Sequence, residues 1–119
     1  MGHGCTGHVS YGPRVELYQA EWCPHSHRVR QRLTELGIDF VARQVPADPD
    51  DRETMRTEFG ETSIPVLVTD DGDAIAGDDA ILDYLQRFDE RPDASRHRAK
   101  ARVEVPEFDE LEPRVERRG

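Results

Sequence analysis

At 119 residues the chain has room for one small domain. With 35% hydrophobic and 34% charged residues it cannot bury a large core, and no apolar run reaches the length of about 18 residues that a membrane helix needs. A net charge of −9, from 16 basic and 25 acidic residues, argues against nucleic acid or an anionic membrane as the main partner.

Residues 1–13 are Gly/His-rich, carry no apolar signal-peptide core, and are expected to be a flexible leader. Val15-Glu16-Leu17-Tyr18 alternates as a short strand does. Glu21-Trp22-Cys23-Pro24 is a turn, and Val29, Leu33 and Leu36 then mark one apolar face of a helix that Gly37 ends. Asp39 to Val45 predicts a second strand. Pro46 to Asp50 predicts a turn and helix start, with Met55 and Phe59 on the buried face and Gly60 as the stop. Ile64 to Val68 is an apolar strand containing Pro65. Asp70 to Asp73 supplies hairpin-turn chemistry before a short return strand, Ala74 to Ala76. Gly77-Asp78-Asp79 caps a last helix with Ile81, Leu85 and Phe88 on one face.

The order is β-α-β-α-β-β-α within residues 14–88. From Asp89 the apolar period fades, and Pro92, Pro106 and Pro113 interrupt a charged sequence. Residues 89–119 are therefore expected to be a mostly disordered tail, with Arg96 to Val103 forming a transient helix at most. The acidity sits in the domain: residues 1–88 hold 8 basic against 16 acidic residues, and the tail holds 8 against 9.

Two cysteines, Cys5 and Cys23, are too few for a disulfide framework and suit a reducing, cytoplasmic setting. Cys23 follows a strand and opens a helix. Unpaired N–H groups and the positive end of the helix dipole favour negative charge on a sulfur placed there. Pro24 is tolerated because its missing N–H would have no partner in the first turn. His25 and the Ser26 hydroxyl add polar contacts, so the expected product is an exposed, nucleophilic thiolate on a rigid support. A bland alternative is an inert, buried Cys23. Cys23, His25 and His27 alternate too closely for a tetrahedral metal site, and no metal is expected.

Three motifs in order carry a resemblance: Leu17-Tyr18-Gln19-Ala20-Glu21-Trp22-Cys23-Pro24-His25-Ser26, then Ser63-Ile64-Pro65-Val66-Leu67-Val68, then Gly77-Asp78-Asp79-Ala80-Ile81. The chain resembles the glutaredoxin family and the similar N-terminal domain of glutathione transferases. The resemblance implies an α/β thioredoxin-like fold, with a mixed four-stranded sheet and helices on both faces. It implies Cys23 as nucleophile within Trp22 to Ser26, and a cis Pro65 facing it. The backbone of Ile64 would pair with the cysteinyl part of glutathione or another low-molecular-weight thiol. Gly77 and Asp78 would hold the γ-glutamyl end.

The sequence departs from the family in two places. Ser26 replaces the second cysteine of a dithiol motif, so a resolving thiol must come from solution, or from Cys5. The basic residues that usually meet the ligand's glycine carboxylate are replaced by Ala20, Glu61 and Thr62, leaving Arg52 or Arg56 as substitutes. The expected function is a monothiol oxidoreductase acting on mixed disulfides between proteins and a small thiol, as a monomer or weak dimer. The alternative is a non-catalytic module that binds a thiol ligand, or an iron–sulfur cluster ligated by Cys23 and a small thiol across a dimer.

Overall fold

A computed structural model describes residues 15–105. The elements are β1 (Val15–Gln19), α1 (Pro24–Leu36), β2 (Phe40–Gln44), a 3-10 turn (Pro49–Asp51), α2 (Glu53–Phe59), β3 (Val66–Val68), β4 (Ala74–Ala76), α3 (Asp78–Leu85) and α4 (Ala94–Glu104). The four strands lie in the order β2-β1-β3-β4. β1 runs parallel to β2, with Val15 opposite Phe40. β1 and β3 are antiparallel, as are β3 and β4. This is the mixed α/β sheet of the thioredoxin fold. Among the described residues no helix is long and apolar enough to cross a membrane.

Alternation along β1 sorts the two faces. Val15 and Leu17 point to a core completed by Val29, Leu33 and Leu36 of α1, Leu67 of β3, and Ile81 and Leu85 of α3. Each such side chain contributes about 1.5–3 kcal/mol when removed from water. Tyr18 points the other way and meets Phe59 of α2 edge to face, with ring centroids 5.1 Å apart. Helices thus cover both faces, as expected. Gly37 ends α1 at φ +70, and the N–H groups of Gly37 and Ile38 close onto Thr34 and Leu33.

The region after Asp89 corrects the expectation of a disordered tail as far as it is described. Residues 94–104 form α4, which packs on α1. The helix has no apolar stripe, and Val103 is exposed; Ala94 is its one buried residue. Its anchor is polar. The Arg91 N–H donates to the Glu35 carbonyl at 2.9 Å. Only 6% of the Glu35 side chain is exposed, and its carboxylate accepts from Arg32 at 2.7 Å, Arg98 at 2.9 Å and Gln31 at 3.0 Å. Glu90 accepts from the same two arginines, at 2.6 Å from Arg32 and 2.7 Å from Arg98. A scan for apolar periodicity is blind to such a clamp. Residues 106–119, with Phe108 and Leu111, lie outside the described residues.

The clamp makes α4 acid-sensitive. Burial pushes the Glu35 carboxyl up, but hydrogen bonds from Gln31, Arg32 and Arg98 outweigh it and hold the group below its usual range. Arg98 and Arg32 bring Glu90 from 4.5 down to about 2. A carboxylate with a depressed folded-state value stabilises above its unfolded value and loses that effect as pH falls through the folded one. Docking of α4 is therefore expected to weaken between pH 4.5 and about 2. Amide exchange of residues 94–104 against pH measures it. Protection unchanged down to pH 2 would contradict the clamp.

Candidate functional site

β1 ends at Gln19, whose buried side chain donates to Gln44 at 3.0 Å and accepts from Arg30. Arg30 also reaches the Ala20 carbonyl at 3.4 Å, which ties the turn after β1 to α1. Out of this turn comes Cys23, the N-cap of α1 in an extended conformation with Pro24 at the first helical position. Its Sγ accepts the Ser26 N–H at 3.4 Å, so the sulfur occupies the acceptor position of a helix cap. That is the electropositive placement the sequence predicts.

Exposure differs from expectation. Cys23 is only 6% exposed, so the sulfur is tucked into its cap rather than presented openly. The cause is the cap itself, which turns the side chain back over the first turn. The neighbouring Trp22 does the opposite and is 63% exposed. Pro24 is half-buried, and His25 is exposed.

Ser26 is fully buried, and its Oγ has no hydrogen-bond partner among the described residues. A buried orphan hydroxyl costs about 1–3 kcal/mol, and serine is a weaker helix former than alanine. Ser26→Ala should therefore stabilise the protein by roughly 1 kcal/mol, or a few degrees in melting temperature. A thermal melt that falls instead would show that the hydroxyl has a partner.

The other two motifs arrive at the same end of the sheet. Tyr18 pairs with Val66, so the antiparallel register carried one step further sets Pro65 opposite Gln19, where β1 turns towards Cys23. The Ile64–Pro65 peptide bond is cis, Pro65 is buried and Ile64 half-buried. The Pro65 carbonyl accepts the Gly77 N–H at 2.9 Å, joining the proline to the start of α3. Gly77 caps α3 at φ +95, a conformation that favours glycine.

Side chains then connect α1 to α3. His25 Nδ1 lies 2.9 Å from Asp78 Oδ2, and Arg28 Nη1 donates to the same oxygen at 2.6 Å and to Asp79 Oδ1 at 3.3 Å. Burial raises the Asp78 carboxyl, yet the contacts with His25 and Arg28 prevail and hold it below the usual carboxylate range. The sequence reading placed His25 and Asp78 in the site but missed Arg28. One helical turn beyond His25, Arg28 shares the face that looks towards α3, and that spacing was the signal available.

The proposed substitutes for the missing basic residues are engaged elsewhere. Arg52 is 4% exposed and donates to three backbone carbonyls: Pro46 at 2.8 Å, Thr62 at 2.8 Å and Ala47 at 3.0 Å. Arg56 donates to Glu53 and to the carbonyls of Pro49 at 3.3 Å and Asp50 at 3.1 Å. Both arginines brace the segment between β2 and α2; the burial of Arg52 corrects the expectation that it meets a ligand carboxylate, whereas the Arg56 side chain is 41% exposed. Cys5 lies outside the described residues. No group of three or more His, Cys, Asp or Glu suited to a metal ion occurs among the described residues.

The family model described as Glutaredoxin matches residues 15–75. The chain is 32% identical over 56 residues to Glutaredoxin 3 of Escherichia coli (strain K12), covering 47% of this chain and 68% of that protein. Among solved structures, a glutathione S-transferase domain-containing protein of Marinobacter aquaeolei VT8 superposes with a TM-score of 0.54 at 32% identity, covering 62% of this chain and 38% of that one. A glutathione S-transferase of Methylobacillus flagellatus KT with glutathione bound gives a TM-score of 0.52 at 28% identity, covering 60% and 35%. The chain thus spans little more than a third of these transferases.

Proposed function

The chain belongs to the glutaredoxin family, a thiol oxidoreductase family, and from that membership we propose that it is a monothiol enzyme removing a small thiol from protein mixed disulfides. The observation that carries the reading is the pairing of Cys23 at the α1 cap with a serine, not a second thiol, at residue 26. Cys23 is the only cysteine among the described residues.

The Cys23 thiolate attacks the small-thiol sulfur of the mixed disulfide. The bond between that sulfur and the protein sulfur breaks, and the protein thiolate leaves and takes a proton from solvent. A second small-thiol thiolate then attacks the sulfur bound to Cys23. The oxidised small-thiol disulfide leaves, and the Cys23 thiolate returns. One free small thiol is oxidised to the disulfide level while the substrate's protein sulfur returns to a thiol, so the electrons balance.

Each remaining site residue has a place in this cycle. The α1 N-terminus, with the Ser26 N–H on the sulfur, supports the thiolate as attacker and as leaving group. Trp22 and Pro24 border the sulfur. The Ile64 backbone beside Pro65 pairs with the cysteinyl unit of the small thiol, for which glutathione is the first candidate. The α3 N-terminus, at Gly77 and Asp78, receives the far end of that thiol. The setting is the reducing cytoplasm, and no metal takes part.

Mass spectrometry after treatment with oxidised small thiols tests the reading. The expected product is Cys23 carrying a single small-thiol adduct, which the reduced thiol then removes. A Cys5–Cys23 disulfide as the main product would replace the monothiol cycle with an atypical dithiol one.

A further inference from the structure

We infer that β2 is a self-association edge, along which two copies of this chain pair antiparallel about Val41 and join their four-stranded sheets into one. The inference does not depend on the reading of Cys23.

β2 (Phe40–Gln44) lies at the edge of the sheet, and among the described residues it pairs only with β1. Its outer side presents a row of backbone N–H and C=O groups that call for partners. The strand is also uncovered on its faces: Val41, Ala42, Arg43 and Gln44 are all exposed, Val41 at 47%. Edge strands that stay single commonly carry proline, lysine or an unpaired charge. β2 contains neither proline nor lysine. Its one charge, Arg43, is already paired within the chain, at 3.3 Å to each carboxylate oxygen of Glu16. The opposite edge, β4, offers only three residues.

A two-fold axis limits the registers available to two such strands. Residues directly opposite each other share a face, so the axis of a symmetric antiparallel ladder passes through a residue pair. An axis at Arg43 sets two guanidinium groups against each other. An axis at Ala42 sets Val41 against Arg43 and Phe40 against Gln44. An axis at Phe40 leaves Asp39 opposite Val41 and Arg43 opposite Gly37. Only the axis at Val41 suits every position: Val41 meets its own copy, Phe40 meets Ala42, and Asp39 meets Arg43 at both ends. Asp39 is exposed and makes no ion pair among the described residues. Arg43 uses Nε and Nη2 on Glu16, which leaves Nη1 for a second carboxylate. The net charge of −9 on each copy opposes approach at long range, and salt screens that repulsion.

The parallel register of β1 and β2 sets Gln19, which leads to Cys23, beside Gln44. A two-fold axis at Val41 therefore sends the two Cys23 sites to opposite ends of the joined sheet, away from the interface.

Sedimentation velocity of the full chain at about 5–500 µM, in roughly 0.15 M salt, tests this over the range that suits a small interface. Wild type should pass from monomer to dimer as concentration rises. Val41→Lys sets two ammonium groups opposite each other. It should raise the dissociation constant at least about tenfold and leave the low-concentration melt unchanged. Asp39→Lys and Arg43→Glu should each weaken self-association, because each sets like charges opposite one another. Mixed in equal amounts, these two variants should form a heterodimer, since every charge then meets its opposite. A wild-type chain that stays monomeric throughout overturns the inference, and β2 amides protected from exchange in that monomer would assign the edge to another segment. A dimer that survives Val41→Lys also overturns it, as does failure of the mixed variants to pair. None of these readouts uses Cys23, so loss of the thiol-exchange reading leaves them as they stand.

Discussion

Replacing Cys23 by serine is expected to bring thiol exchange down to the uncatalysed background, a loss of at least about a thousandfold. No other described residue offers a thiol, and a serine oxygen is a poor nucleophile towards disulfide sulfur. The fold should survive, because serine is a good helix cap and its Oγ can accept the Ser26 N–H that Sγ accepts now. The measurement pairs an exchange assay on a peptide mixed disulfide with a thermal melt. A melt within a few degrees of wild type together with lost exchange isolates the chemistry. Exchange that persists at a tenth of the wild-type rate would mean that the sulfur in the α1 cap is not the attacking group.

A chain ended at Glu90 is expected to melt several degrees below one ended at Val105. The shorter chain lacks Arg91, Ala94 and Arg98, so the Glu35 carboxylate keeps Arg32 and Gln31 but loses its partner from α4. Loss of a charged hydrogen bond to this carboxylate costs on the order of 1–3 kcal/mol. In a domain of this size that corresponds to roughly 5–15 °C. The outer face of α1 would also lose the cover of Ala94, which is buried in the longer chain. Glu35→Gln in the longer chain should reproduce part of the fall. Equal melts for the two chains would show that α4 rests on the domain without stabilising it.

These outcomes bear on what the sequence could and could not reveal. The apolar period of Val29, Leu33 and Leu36 marked α1, and Ile81 with Leu85 marked α3, because burial of a hydrophobic stripe is what forms those helices. The alternation of β1 and the turn residues Asp70 to Asp73 set the strands. Boundaries moved where local chemistry intervened. The turn and helix start predicted at Pro46 to Asp50 lead into a separate 3-10 turn at Pro49–Asp51 capped by Asp48, and α2 begins afresh at Glu53. α4 stayed hidden because its anchor is Glu35, a charged residue on a helix face that a hydropathy reading assigns to solvent.

At the site, residue types were legible and partnerships were not. Cys23 at a helix start follows from local sequence alone, and the Sγ contact with the Ser26 N–H is a local contact. The engagement of Asp78 by Arg28 joins residues 50 positions apart, and Arg52 reaches Thr62 only through the loop that it braces. Opposite charges scattered through a sequence have many conceivable pairings, and only the fold selects among them.

Trp22 gives the site an optical signature. It is the chain's single tryptophan, it stands open to solvent, and one peptide bond separates it from Cys23. Indole emission responds to solvent contact and is quenched by a nearby disulfide. Tryptophan emission, excited apart from tyrosine, therefore arises beside the Cys23 sulfur and nowhere else. On the proposed cycle, each passage of Cys23 between free thiolate and mixed disulfide is expected to change that light, so stopped flow in the unlabelled chain should time the individual half-reactions.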